Sequence, residues 1–110
     1  MEMLKETVNL EEIGKKTAEY LSQYVRIDKV IAYGSYIYGE PREDSDIDLA
    51  VISEDFLGMS IVEKIDLLSE ISITIDSRIE VKGFSRDEYD HPLPGSLIEF
   101  VKKRGKEIML

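Results

Sequence analysis

The sequence predicts an α/β domain, a small mixed β-sheet flanked by helices. Two observations carry that expectation. Short β-rich segments alternate with stretches of helical apolar spacing, and three of those stretches open on Ser or Asn followed three residues later by Glu. The 110 residues are enough for one small domain and too few for two, and apolar residues, 43% of them, are spread over the whole length, so a single domain over residues 1–110 is expected.

Taken in order, Asn9 with Glu12 predicts a helix start, and Ile13, Tyr20, Leu21 and Tyr24 continue it as a helix near 9–25. Lys29–Tyr33 is a short strand ending at Gly34. Asp46–Ile52 starts polar and becomes wholly apolar, as a strand does on entering a core. Ser60 with Glu63 opens a helix near 60–72 along Ile61, Ile65, Leu68 and Ile71. At Ile71–Ile75 the alternation also allows a strand, and the two readings compete. Arg78–Lys82 alternates strictly, with Ile79 and Val81 on one face and Arg78, Glu80 and Lys82 on the other. Ser85 with Glu88 suggests a short helical turn, His91–Gly95 a rigid loop, and Ser96 with Glu99 a helix near 96–104 stopped by Gly105. A last short strand is expected at Glu107–Leu110. Tyr20, Tyr24 and Phe100 sit at spacings compatible with core packing.

Composition narrows the function classes. With no cysteine there is neither a disulfide framework nor a thiolate metal site. No apolar run approaches the ~18 residues of a membrane span, and acids occur throughout the first twenty residues, so a cytoplasmic protein is expected. The net charge of -9 argues against tight nucleic-acid binding, which needs clustered bases. The one basic cluster, Lys102-Lys103-Arg104, falls in a predicted last helical turn, where it complements the helix end. So small a domain with exposed strand ends is compatible with homo-oligomers.

The chemistry concentrates between Tyr33 and Ile52. Asp46 and Asp48, two apart on a strand, share a face and can converge on a hard cation such as Mg²⁺. Taken alone, such a pair more often faces solvent. Gly34-Ser35 follows a strand directly, where the backbone can approach a phosphate and the Ser35 hydroxyl adds a donor. An anion site beside a carboxylate pair suits a metal–nucleotide complex. Glu80 is a third acid that would reach the pair if its strand lies alongside; otherwise it partners Arg78 and Lys82. Asp76 is a rival third acid if that strand starts early. His91, the sole histidine, has no second ligand-type residue in tight spacing and is expected on the surface.

Gly34-Ser35, ten further residues and Asp46-Ile47-Asp48 resemble the motif of the polymerase-β-like nucleotidyltransferases, specifically the minimal nucleotidyltransferases. Gly39, Ser45, Leu49–Ile52, Ile79-Glu80-Val81, Phe84-Ser85, Glu88-Tyr89 and Lys103–Lys106 extend the resemblance from about Tyr33 to the last residues. It implies that Gly34, Ser35 and Ser45 bind the nucleotide. Asp46, Asp48 and Glu80 would hold two Mg²⁺, with Glu80 also activating an acceptor hydroxyl. The implied reaction transfers a nucleoside monophosphate, AMP from ATP, to a hydroxyl with release of pyrophosphate. It also implies a HEPN-type helical partner, modified on a tyrosine, with this chain as the antitoxin of a toxin–antitoxin pair.

Two departures stand out. Tyr36 and Tyr38 occupy places where many relatives carry Arg, leaving a phosphate contact to Arg42, Lys82 or a partner, and the third acid is Glu where many have Asp. Tyr36 and Tyr38 either line a nucleotide pocket or pack. The alternatives are transfer to a small molecule, or a non-catalytic module that neutralises its partner by contact.

Overall fold

The structure, a computed structural model, describes residues 9–39 and 46–110. Helix α1 (Leu10–Leu21) begins where the Asn9 side chain accepts the Glu12 N–H at 3.1 Å, satisfying a first-turn donor. It stops a turn short of the predicted end. The N–H groups of Gln23 and Tyr24 close tighter turns onto the carbonyls of Tyr20 and Leu21, and Tyr24 points outward, 58% exposed. Of the three aromatic residues at spacings compatible with core packing, Tyr20 packs against the core, whereas Tyr24 and Phe100 are exposed.

Strands β1 (Lys29–Tyr33), β2 (Ile47–Ile52), β3 (Ile79–Phe84) and β4 (Lys106–Ile108) form a four-stranded sheet in the order β3-β2-β1-β4. β1 runs antiparallel to both β2 and β4, while β2 and β3 are parallel, so the sheet is mixed as predicted. A parallel pair needs a crossover, and α3 (Ile61–Thr74) supplies it. A 3₁₀ turn at Glu54–Gly58, not expected from sequence, leads into it, with the Ser53 hydroxyl accepting the Asp55 N–H.

Both halves of the Ser60–Glu63 capping box are formed, and α3 runs on through Ile71–Thr74. The helix therefore wins where the two readings competed. A strand would place Ile71 and Ile73 on one face, yet Ile71 is fully buried and Ile73 is 83% exposed. Ile61 and Ile65, spaced with Leu68, also lie exposed, so the apolar row of this helix is buried only toward its C-terminal half.

Two short helices follow β3. α4 (Arg86–Asp90) carries a complete Ser85–Glu88 capping box. α5 (Leu97–Arg104) is capped by Ser96, but Glu99 reaches back to the Gly95 N–H rather than to that of Ser96. Lys102, in its basic last turn, donates to the Tyr89 carbonyl and lies over the Tyr89 ring.

The sheet separates two apolar clusters. Leu21, Ile47, Leu49, Val51 and Ile71 pack with α1 and α3 on one face, and Ile31, Tyr33, Ala50 and Ile52 pack with Ile98 and Val101 of α5 on the other. Among the described residues no helix is long and apolar enough to cross a membrane.

Close approach of α3 to β3 depends on Gly83. A methyl group there would lie 2.8 Å from Phe56 and 2.9 Å from Leu68. Gly83→Ala is expected to lever α3 away and cost about 1–3 kcal/mol, read as a lower urea midpoint at unchanged slope.

Candidate active site

The turn after β1 is built on Gly34, whose φ of 88° and ψ of -158° suit a residue without a Cβ. The chain then makes one short helical turn, α2 (Ser35–Tyr38), closed by Ile37 N–H to the Gly34 carbonyl and Gly39 N–H to the Ser35 carbonyl, both at 3.0 Å. Gly34 abuts the carboxylate of Asp48 so closely that a methyl group in its place would overlap Asp48 Oδ2. The backbone at the start of α2 and one of the paired acids are thus in direct contact.

Strand β2 sets the direction of Asp48. Ile47 and Leu49 belong to the α1–α3 cluster, while Ala50 and Ile52 belong to the α5 cluster, so alternation places Asp48 on the α5 face. Asp46 is exposed just before β2, beside the point where Ile47 N–H donates to the Arg78 carbonyl at 2.8 Å. Register then brings the third acid in. Asp48 is opposite Glu80 on β3 and opposite Tyr33 on β1, giving a row Tyr33–Asp48–Glu80 across three strands. Strand spacing of ~4.8 Å puts neighbouring side chains of such a row within reach of one ligand. The condition on which Glu80 depended, a strand beside that of Asp48, is therefore met.

Asp76 does not compete for this position. β3 begins only at Ile79, and the Asp76 carboxylate accepts from the Arg78 backbone at 2.9 Å and from its guanidinium at 3.1 and 2.8 Å. Those bonds hold its carboxyl below the usual range.

Asp48 is shifted the other way. Burial pushes its carboxyl up, repulsion from Glu80 and then Asp46 adds to this, and Lys82 pulls it down. A carboxyl raised in the folded state binds more protons there than in the unfolded chain. Its ionisation therefore costs stability as pH rises through the folded value, and the penalty is absent below the unfolded value near ~4. Thermal melts of metal-free protein should show Asp48→Asn gaining on wild type from about pH 4 to pH 7; a gap that narrows with rising pH would contradict this assignment.

Glu80 is half exposed and accepts from Lys82 Nζ at 2.7 Å. Among the described residues no three metal-type side chains already converge, and the Glu80 carboxylate is engaged by Lys82. The donor set nonetheless fits a hard cation. It consists of carboxylate oxygens without thiolate or imidazole, and it contains a desolvated acid whose charge two neighbouring acids oppose.

The structure thus brings together Gly34, Asp48 and Glu80, with Ser35 adjacent and Asp46 at the strand entrance. Ser45 and Arg42 lie outside the described residues, as does the side chain of Tyr38. Tyr36 packs against the α1–α3 core, which favours the packing reading for it. His91 caps α4 and is exposed, as expected. Sequence reasoning did not single out Tyr33 as a member of the row, because only strand register puts it beside Asp48. It also missed a groove of about 580 Å³ along β3, walled by Ile61, Ile65, Leu68 and Leu97 and reaching Glu80 and Lys82.

Comparison with solved structures finds the same fold at low identity. A Sulfolobus solfataricus protein provisionally named a nucleotidyltransferase matches with TM-score 0.58 at 20% identity, over 73% of this chain and 70% of its own. A chain of a toxin–antitoxin crystallised with AMP-PNP matches with TM-score 0.61 at 19% identity, over 87% and 72%. A chain of the toxin–antitoxin MntA–HepT matches with TM-score 0.56 at 16% identity, over 90% and 71%. None of the curated proteins matches the chain. The family model of the polymerase beta nucleotidyltransferases matches residues 15–109, and so, as its resemblance to the minimal nucleotidyltransferases implied, the chain belongs to that family.

Proposed function

We propose that this nucleotidyltransferase transfers AMP from ATP to a hydroxyl on a HEPN-type helical partner, acting as the antitoxin of a toxin–antitoxin pair. The carrying observation is the Asp48–Glu80 register with Gly34 packed against Asp48, which joins a phosphate-accessible backbone turn to paired carboxylates. Similarity of fold to toxin–antitoxin chains, one crystallised with AMP-PNP, supports the choice of nucleotide and of partner.

In this reading Asp46, Asp48 and Glu80 hold Mg²⁺, and Gly34, Ser35 and Ser45 hold the triphosphate. Bound Mg²⁺ would neutralise charge on the attacking and leaving oxygens of an in-line displacement. The acceptor oxygen forms a bond to the α-phosphorus as the bond to the β-phosphate oxygen breaks, and pyrophosphate leaves. Glu80, on the groove, accepts the acceptor's proton. The groove's apolar wall suits an aromatic acceptor such as tyrosine, and the strongly acidic chain favours a basic partner surface.

One observation favours the rival reading of a non-catalytic neutralising module, namely that Glu80 is occupied by Lys82. Incubation with labelled ATP and Mg²⁺, with and without a co-encoded helical protein, separates the two. Label entering that protein, and lost with Asp48→Ala, supports AMP transfer. Neutralisation that persists in Asp46→Ala/Asp48→Ala, with no label in any acceptor, establishes the contact mechanism instead.

A further inference from the structure

Glu80 and Lys82 are two residues apart on β3 and so project from one face, with Lys82 Nζ 2.7 Å from Glu80 Oε2. Lys82 is thereby a base in ion-pair contact with the carboxylate row, and its charge also acts on Asp48. The turn expected to meet the triphosphate carries no base of its own: α2 is Ser35, Tyr36, Ile37 and Tyr38. A basic side chain that meets the phosphates therefore comes from outside α2, and among the described residues Lys82 stands beside the carboxylate row.

Resting on the nucleotidyltransferase reading, we propose that Lys82 is an exchangeable counter-cation of the site. It holds Glu80 while no divalent cation is bound and, once Glu80 is engaged by one, turns its ammonium to the phosphates of the bound nucleotide. The chemistry suits such an exchange. Lysine is a point charge on a flexible stem, able to change partners without the fixed fork geometry of arginine. The pair is half exposed, 50% for Glu80 and 42% for Lys82, and exposed pairs are worth only about 0.2–1 kcal/mol, so the contact is easily given up. A divalent cation on Glu80 also repels the ammonium, and the arriving phosphates offer it a new negative partner. Lys82 is thus a metal-site competitor before nucleotide binds and a phosphate ligand afterwards.

Those two roles give Lys82→Met effects of opposite sign, which a merely structural lysine would not. Binding of Mn²⁺ alone, followed by its paramagnetic resonance signal, should tighten by about two- to fivefold. Binding of a non-hydrolysable ATP analogue in excess Mg²⁺, followed by calorimetry, should weaken by about tenfold or more. Lys82→Arg should restore analogue binding. Lys15→Met, which removes one exposed charge from α1 on the opposite face of the sheet, should move neither. Shifts of the same sign, no shift, or equal shifts in Lys15→Met would overturn the proposal. Failure of the wild-type protein to bind either Mn²⁺ or the analogue would overturn the nucleotidyltransferase reading itself, and the Lys82 exchange with it.

Discussion

Asp48→Asn is expected to reduce transfer of label from ATP by roughly 10²–10³-fold or more, while leaving the metal-free fold as stable as wild type or more so. The two halves share one cause. Asp48 is a partly buried carboxylate on the α5 face of β2, with Glu80 beside it and Asp46 near, so its ionised form is disfavoured in the free protein. Amide in place of carboxylate keeps the shape and removes the repulsion. It also removes the negative charge that would hold a cation against the triphosphate, so what stabilises the empty site disables the loaded one. The check pairs initial rates of label incorporation with urea midpoints on the same preparations. Transfer within tenfold of wild type would remove Asp48 from the catalytic set. A large loss of stability would mean instead that the carboxylate holds the fold together through contacts the repulsion argument ignores.

Much of the fold was legible because its signals are local. β1 coincides with the predicted strand, β2 and β3 lie within two residues of theirs, and Ser60, Ser85 and Ser96 each cap a helix. What failed depended on tertiary packing. The predicted end of α1 rested on Tyr24 continuing an apolar spacing, but the helix closes at Leu21 and the Tyr24 ring, tilted against that of Tyr20 at 5.7 Å, is more than half exposed. At Ile71–Ile75 two periodicities fitted the letters, and only the sheet beneath α3 decided which isoleucines were buried. The site divides in the same way. Gly34-Ser35 and Asp46-Ile47-Asp48 can be read from spacing along one chain segment. The joining of Glu80 is a matter of register between strands 32 residues apart by number, Asp48 to Glu80, and the sequence held it only as a condition. The Lys82 contact follows from the two-residue alternation of β3, which offered Lys82 as a partner of Glu80, whereas the groove walled by α3 and Leu97 arises from packing that no spacing encodes.

Gly34→Ala tests the contact between the turn and Asp48, and its expected cost is about 2–5 kcal/mol of stability together with loss of transfer. Two separate penalties add. At φ 88° and ψ -158°, a region that essentially only glycine occupies, an L-residue strains the turn by about 1–3 kcal/mol, and the new methyl overlaps the Asp48 carboxylate. The second penalty vanishes when that carboxylate is absent, because the remaining Asp48 Cβ is 3.4 Å away, an ordinary contact. In an Asp48→Ala background Gly34→Ala should therefore cost only the turn strain, leaving a coupling of about 1–2 kcal/mol in a double-mutant cycle of urea midpoints. If the cycle shows no coupling and transfer is lost, the carboxylate has swung away from the methyl, and catalysis depends on its resting position rather than on its presence alone. If there is no coupling and transfer survives, Gly34 and Asp48 do not form one site. The cycle asks of these two residues what neither single variant can: whether the phosphate turn and the carboxylate row are a single object.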